Sequence, residues 1–149
     1  MPEAKRLRGF KSAVVLATAL VGLLAVPGLA AADTQPIFGV WRNPKNTVHV
    51  EIKGCGANTC GYVVWASAKA QADARKGGTE NLIGLQLLRD FKPDSPDRWR
   101  GKVFVPDLRM TFAGTAEVVD AATLKAKGCL IGGLLCKSQT WRRIEVDAD

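Results

Sequence analysis

Residues 48–65, VHVEIKGCGANTCGYVVW, restrict the fold more than any other stretch of the chain. Val48, Val50 and Ile52 alternate with His49, Glu51 and Lys53, so an extended segment here has one apolar and one polar face. Gly54, Gly56, Asn58 and Gly61 then let the chain reverse at little steric cost, and Cys55 and Cys60 flank that reversal. Tyr62, Val63, Val64 and Trp65 resume as a strand that is apolar on both faces. A strand, a cysteine-flanked turn and a strand form a hairpin, and a hairpin with one apolar face must bury that face against more sheet.

The same period of two recurs on both sides. Residues 37–42 form a short strand signal, and Asn43, Pro44 and Asn46 supply a turn. Residues 66–75 (ASAKAQADAR) contain good helix formers and no β-branched residue, and predict a short helix. Residues 81–91 (NLIGLQLLRDF) fit either a helical stripe or a buried strand, with strand preferred because strand-like segments flank them. Residues 92–97 (KPDSPD) read as a proline turn. Trp99, Gly101, Val103 and Val105 then face one way, and Arg98, Arg100 and Lys102 the other. Met110, Phe112, Gly114, Ala116 and Val118 repeat the pattern, as do Leu124, Ala126 and Gly128. Residues 130–135 read as a glycine-centred loop and 137–146 as the last strand. About eight short strands joined by tight turns predict an all-β fold, a small antiparallel up-and-down barrel with a short helix after the third strand. Closure into a barrel removes exposed edges.

The N-terminal segment reads differently. Lys5, Arg6, Arg8 and Lys11 form a basic head, residues 13–26 an uncharged apolar run, and Ala30, Ala31 and Ala32 a small-residue cleavage site. That pattern predicts a Sec-type signal peptide over residues 1–32 and a single domain over 33–149; a retained anchor is the competing reading. No cysteine stands at the cleavage site, so a lipoprotein is not expected. The expected location is the periplasm or the exterior, with the protein soluble after leader removal. Several of the basic residues behind the formal charge of +7 belong to that head, so the remainder is only mildly basic, with no nucleic-acid footprint.

All four cysteines, Cys55, Cys60, Cys129 and Cys136, lie beyond the leader, and an even number in an exported chain predicts disulfides. Zinc is the alternative, weakened by the six-residue gap between Cys129 and Cys136. In a strict meander the two hairpins that carry them lie at opposite ends, about 17–20 Å apart. Pairing is therefore expected within each hairpin, Cys55 with Cys60 and Cys129 with Cys136.

Three motifs stand out together: Gly39-x-Trp41, then Cys55-Gly56-x3-Cys60-Gly61-x-Val63-Val64-Trp65, and finally Gly128-Cys129 followed by Ser138-Gln139-Thr140-Trp141-x-Arg143. In combination they resemble an exported bacterial family, the domain of unknown function DUF2147. An Asn-Pro segment usual in that family's middle loop is missing from residues 72–78, whereas its aromatic-Asx-Pro stretch has a counterpart in Phe104, Val105, Pro106 and Asp107. The Gly39-x-Trp41 start also resembles lipocalin-type barrels. That resemblance implies that Trp41 packs beneath an arginine of the last strand, Arg142 or Arg143, and closes one end.

Catalytic signals are weak. His49 is the single histidine, lies on a polar strand face, and has no nucleophile or carboxylate partner implied by spacing. Nucleophile-elbow, metalloprotease and phosphate-loop motifs are absent from the sequence, and no cofactor or metal is implied. Trp65, Trp99, Val103, Met110 and Phe112 are candidates to line a lumen. The function expected is binding of a small apolar or amphipathic ligand without catalysis. The alternative is a cell-envelope module that binds a protein or polymer through its outer surface. The oligomeric state is not legible in the sequence.

Overall fold

A computed structural model describes residues 35–130 and 132–145. The expected leader, and the last residue assigned to the final strand, Val146, lie outside the described residues. Eight antiparallel strands close a barrel in sequence order: β1 (Gly39–Arg42), β2 (Val48–Cys55), β3 (Asn58–Ala66), β4 (Gln86–Ser95), β5 (Arg98–Val105), β6 (Met110–Asp120), β7 (Thr123–Leu130) and β8 (Leu134–Ile144). One helix, α1 (Ala68–Lys76), follows β3.

The alternating residues face as the pattern requires. Val50 pairs with Val63, Trp99 with Ala116, and Val118 with Leu124, so these apolar side chains share the inner face. Trp41, Phe91, Ile37, Ile52 and Val63 are the largest fully buried side chains. Burying one such chain is worth roughly 1.5–3 kcal/mol, which makes this cluster the main cohesive element.

Three local expectations need correction. Residues 92–95 continue β4 as strand instead of turning. Asp90, at φ 54°, sits in a bulge that sets Arg89 opposite Lys102 and Lys92 opposite Arg100. Beyond Phe91 the β3 ladder has ended, so Pro93 lies where its missing N–H breaks no bond on that side. At the other end of the same segment, residues 81–85 form a loop and β4 begins only at Gln86. That loop is still tied to β3, because Gly84 N donates to Val63 O at 2.7 Å and Val63 N to Leu85 O at 2.9 Å. Finally, the glycine-centred loop is shorter than expected: β7 runs to Leu130, Gly132 (φ 61°) and Gly133 (φ 85°) carry the reversal, and the last strand starts at Leu134.

The helix starts two residues later than composition indicates. Ser67 caps it by accepting from Ala70 N at 3.2 Å, and Arg75 and Lys76 lie in its last turn, where the carbonyl ends favour cations. Ala74 is fully buried, and Thr79 Oγ1 donates to Pro106 O at 3.1 Å. The helix and its following loop therefore roof part of one barrel end, over β3 to β5.

Candidate functional site

The two ends of the barrel are built differently. One end carries the β2–β3, β4–β5 and β6–β7 turns and the entering chain. There Trp41 is wholly buried, and its indole Nε1 donates to Ile37 O at 2.9 Å. The Arg143 guanidinium carbon lies 4.1 Å from the Trp41 ring centre. Arg143 also donates to the carbonyls of Ala121 (2.6 Å), Pro36 (2.6 Å) and Phe38. The guanidinium thus satisfies itself on backbone and on the indole face, without a carboxylate. Gly39 is required beside it: its φ is 130°, and a Cβ there would collide with the Arg143 guanidinium. Arg142 points the other way and donates to Thr123 Oγ1 at 2.6 Å, so of the two arginines considered for closure only Arg143 covers Trp41.

Trp99 belongs to the same closed end. It is 2% exposed, and its Nε1 donates to Gln35 Oε1 at 3.2 Å. It fills the barrel there instead of lining an opening. Trp65 requires a correction. It is paired with His49 on the outer face, its ring centre 4.4 Å from the imidazole, and it is 44% exposed. A register shift between His49 and Val50 turns the end of β3, so that Ala66 and not Trp65 points inward. A strand apolar on both faces left this choice open in the sequence.

The middle of the barrel is filled by a residue that sequence reasoning left in an ambiguous segment, Phe91. It sits against a row of glycines. Gly101 pairs with Gly114, and Gly114 with Gly128, so three strands present no side chain inward at one level. A Cβ on Gly101 would collide with Phe91, and one on Gly114 with Val103. A Cβ on Gly128 would meet nothing within 4 Å. The row is packed at β5 and β6 and open at β7. All three glycines fall on the apolar faces in the sequence, and that was the available signal.

Beyond the row lies the other end, which α1 and its loop roof over β3 to β5 and which stays open toward β6 to β8. Val103 and Phe112 pair across β5 and β6 and are half-buried, while Met110, next on the inner face, is 52% exposed. Register places Lys137 opposite Gly128, and Gln139 opposite Ala126, so both belong to the inner face, yet both are exposed. The cause is the brevity of β1. It pairs with β8 only through Val40, Trp41 and Arg42, so residues 134–141 of β8 have β7 as their single strand neighbour among the described residues. Lys137 and Gln139 were not singled out as wall residues because the stretch 137–140 (KSQT) is polar on both faces and declares no inner side.

Both disulfides are local, Cys55 with Cys60 near the closed end and Cys129 with Cys136 near the open end. They take up every cysteine, so no thiolate remains for zinc or for nucleophilic attack. Among the described residues no group of three or more His, Cys, Asp or Glu is placed to hold a metal. His49 has its pKa lowered by burial and then by the Arg42 charge, and its Nε2 lies 2.7 Å from Asn46 Oδ1. It faces outward beside Trp65, with no nucleophile among the hydrogen-bond partners found for it. The arrangement offers a half-filled apolar barrel with an accessible inner wall.

Comparison with known proteins agrees with that architecture. A family model described as "Uncharacterized protein conserved in bacteria (DUF2147)" matches residues 39–143. No curated protein sequence matches the chain. Among solved structures, protein HP1028 from Helicobacter pylori, described as belonging to the lipocalin family, superposes with a TM-score of 0.60. The two are 16% identical, and the match covers 75% of this chain and 85% of that one. At that identity the likeness speaks for the fold.

Proposed function

We propose a binding function for this chain, which belongs to the bacterial DUF2147 family: it holds a small amphipathic molecule at the open end of its barrel, without catalysis. The observation that carries this reading is the clear space over Gly128, which pairs with Lys137 on one side and on the other with Gly114, one inner-face step from Phe112. An apolar tail lying on Val103, Phe112 and Met110 would remove their remaining surface from water, at roughly 25 cal/mol per Å². About 300 Å² of such burial is worth about 7 kcal/mol before the costs of association, consistent with affinities no tighter than micromolar. Lys137 and Gln139 lie next to this wall and supply polar partners for a headgroup. The disulfides suit a non-cytoplasmic compartment, and a leader at residues 1–32 would deliver the chain there.

The test is uptake of N-phenylnaphthylamine, a neutral apolar fluorophore, by protein recovered from the periplasm. Wild type is expected to enhance its emission saturably, and Gly128→Phe to abolish the effect while melting normally. Equal uptake by Gly128→Phe, or none by wild type, overturns the reading. In that event the envelope-module reading gains, because Leu134 and Leu135 stand 72% and 76% exposed at the hairpin tip.

A further inference from the structure

The outer face of β5 to β8 is hollow where a barrel wall is ordinarily convex. A concavity of about 590 Å³ is lined there by Arg98, Arg100, Thr115, Lys125, Lys127 and Ser138, with the Gly114 backbone in its floor. The glycine row accounts for the shape. At Gly101 and Gly114 the backbone lies so close to Phe91 and Val103 that a Cβ would collide, which lets the sheet sit low beneath the hollow.

Register orders the charges in this hollow. One row across the four strands runs Arg100, Thr115, Lys127, Ser138. The row nearer the open end runs Lys102, Ala113, Cys129, Cys136, and the row nearer the closed end Arg98, Glu117, Lys125, Thr140. The single carboxylate among the lining residues, Glu117, therefore lies on the closed-end side. Asp94 holds Arg98 at 3.1 Å and Arg100 at 3.2 Å through one oxygen, and Arg100 retains other donors. Among the described residues Lys125 and Lys127 make no ion pair within 4 Å. Protection of a sheet edge does not explain these cations, because β5, β6 and β7 are each flanked by strands on both sides.

We propose that the Arg100–Thr115–Lys127–Ser138 row is an oxyanion site that takes the phosphate groups of a diphosphate-bearing ligand. Adjacent strands are about 4.8 Å apart, so Arg100 and Lys127 stand about 10 Å from each other astride Thr115. Both side chains are long enough to converge on one phosphate above the Thr115 hydroxyl. Arginine forks onto two oxygens, lysine acts as a compact charge, and the threonine adds a neutral donor. Ser138, one strand further, reaches a second linked phosphate. A carboxylate, with two oxygens, would leave part of this donor set unused, whereas a diphosphate spans the row. This site is independent of the barrel opening.

Isothermal titration with inorganic pyrophosphate tests it on the full exported protein. Saturable binding is expected, weakened about tenfold by Arg100→Gln and by Lys127→Gln, and several-fold by Thr115→Val, which changes no charge. Lys45→Gln, on a turn outside the hollow, is expected to leave it unchanged. Sedimentation with phosphatidylcholine vesicles doped with a long-chain alkyl diphosphate separates two sources of the chemistry. Vesicle binding displaced by pyrophosphate assigns the site to a lipid headgroup, and pyrophosphate binding without vesicle binding assigns it to a soluble ester. No pyrophosphate binding at millimolar concentration, or equal losses in Lys45→Gln and Lys127→Gln with none in Thr115→Val, overturns the proposal in favour of diffuse surface charge.

Discussion

The closed and open ends of this barrel are made from the same eight strands but held by different physics. At the closed end Arg143 bonds three carbonyls and covers an indole, and the side chains of Trp41, Trp99 and Ile37 are buried. At the open end β8 runs past the end of β1, with residues 134–140 all exposed, and Cys129–Cys136 ties the arm together. One end is a packed core in which each neighbour supports the next; the other is a hairpin held by its ladder and a covalent link. Substitutions should therefore cost stability at the first and change binding at the second.

The largest effect is expected from Trp41→Ala. Truncating a large aromatic in a packed site costs about 3–5 kcal/mol, and loss of the Arg143 contact adds to it. Trp99→Ala should cost less, because that indole has no arginine over it. Urea melts of both variants decide the order; a smaller loss for Trp41→Ala would mean that Arg143 contributes nothing to closure. Next comes a contrast within one row of glycines. Gly114→Ala must displace Val103 and should cost about 1–3 kcal/mol, whereas Gly128→Ala should stay within about 0.5 kcal/mol. Equal costs would show that the open end is packed after all.

Removing the arm's disulfide with Cys129→Ser and Cys136→Ser is expected to cost no more than about 2–3 kcal/mol, as its loop is short. Hydrogen exchange should accelerate in residues 125–140 and remain slow at Trp41. Met110→Trp, at the mouth, should cost under about 1.5 kcal/mol and diminish uptake of the apolar probe, since a side chain half in solvent has room to grow. The smallest effect is the pH dependence of His49. Its pKa in the fold lies below the unfolded value of 6.5, so between the two the unfolded chain binds more protons. The His49 contribution is whole above pH 6.5 and declines as pH falls through that window. His49→Gln should flatten the slope of the urea midpoint between pH 7.5 and 5.5.

Much of the barrel was legible in order along the chain. Side chains in a strand alternate with a period of two, so Val48, Val50 and Ile52, or Trp99, Val103 and Phe112, declare a face without reference to anything distant. The turns at Asn43 and Pro106 declare themselves through residues that suit tight reversals, and a meander that alternates ends confines each disulfide to its own hairpin. These are local properties, and local properties survive in a linear text.

What only the tertiary structure decided depends on neighbours brought from elsewhere. Arg142 and Arg143 are indistinguishable in sequence, and the β1–β8 register selects the one whose side chain points inward over Trp41. Trp65 faces out because a bulge between its partners shifts the phase, and bulges carry no reliable local signature. Whether Gly101, Gly114 and Gly128 form a packed seam or a vacant wall depended on Phe91 arriving from β4, through a bulge at Asp90. The openness of the barrel followed from a length mismatch between β1 and β8, residues about a hundred positions apart, because a closed sheet is only as tall as its shortest strand.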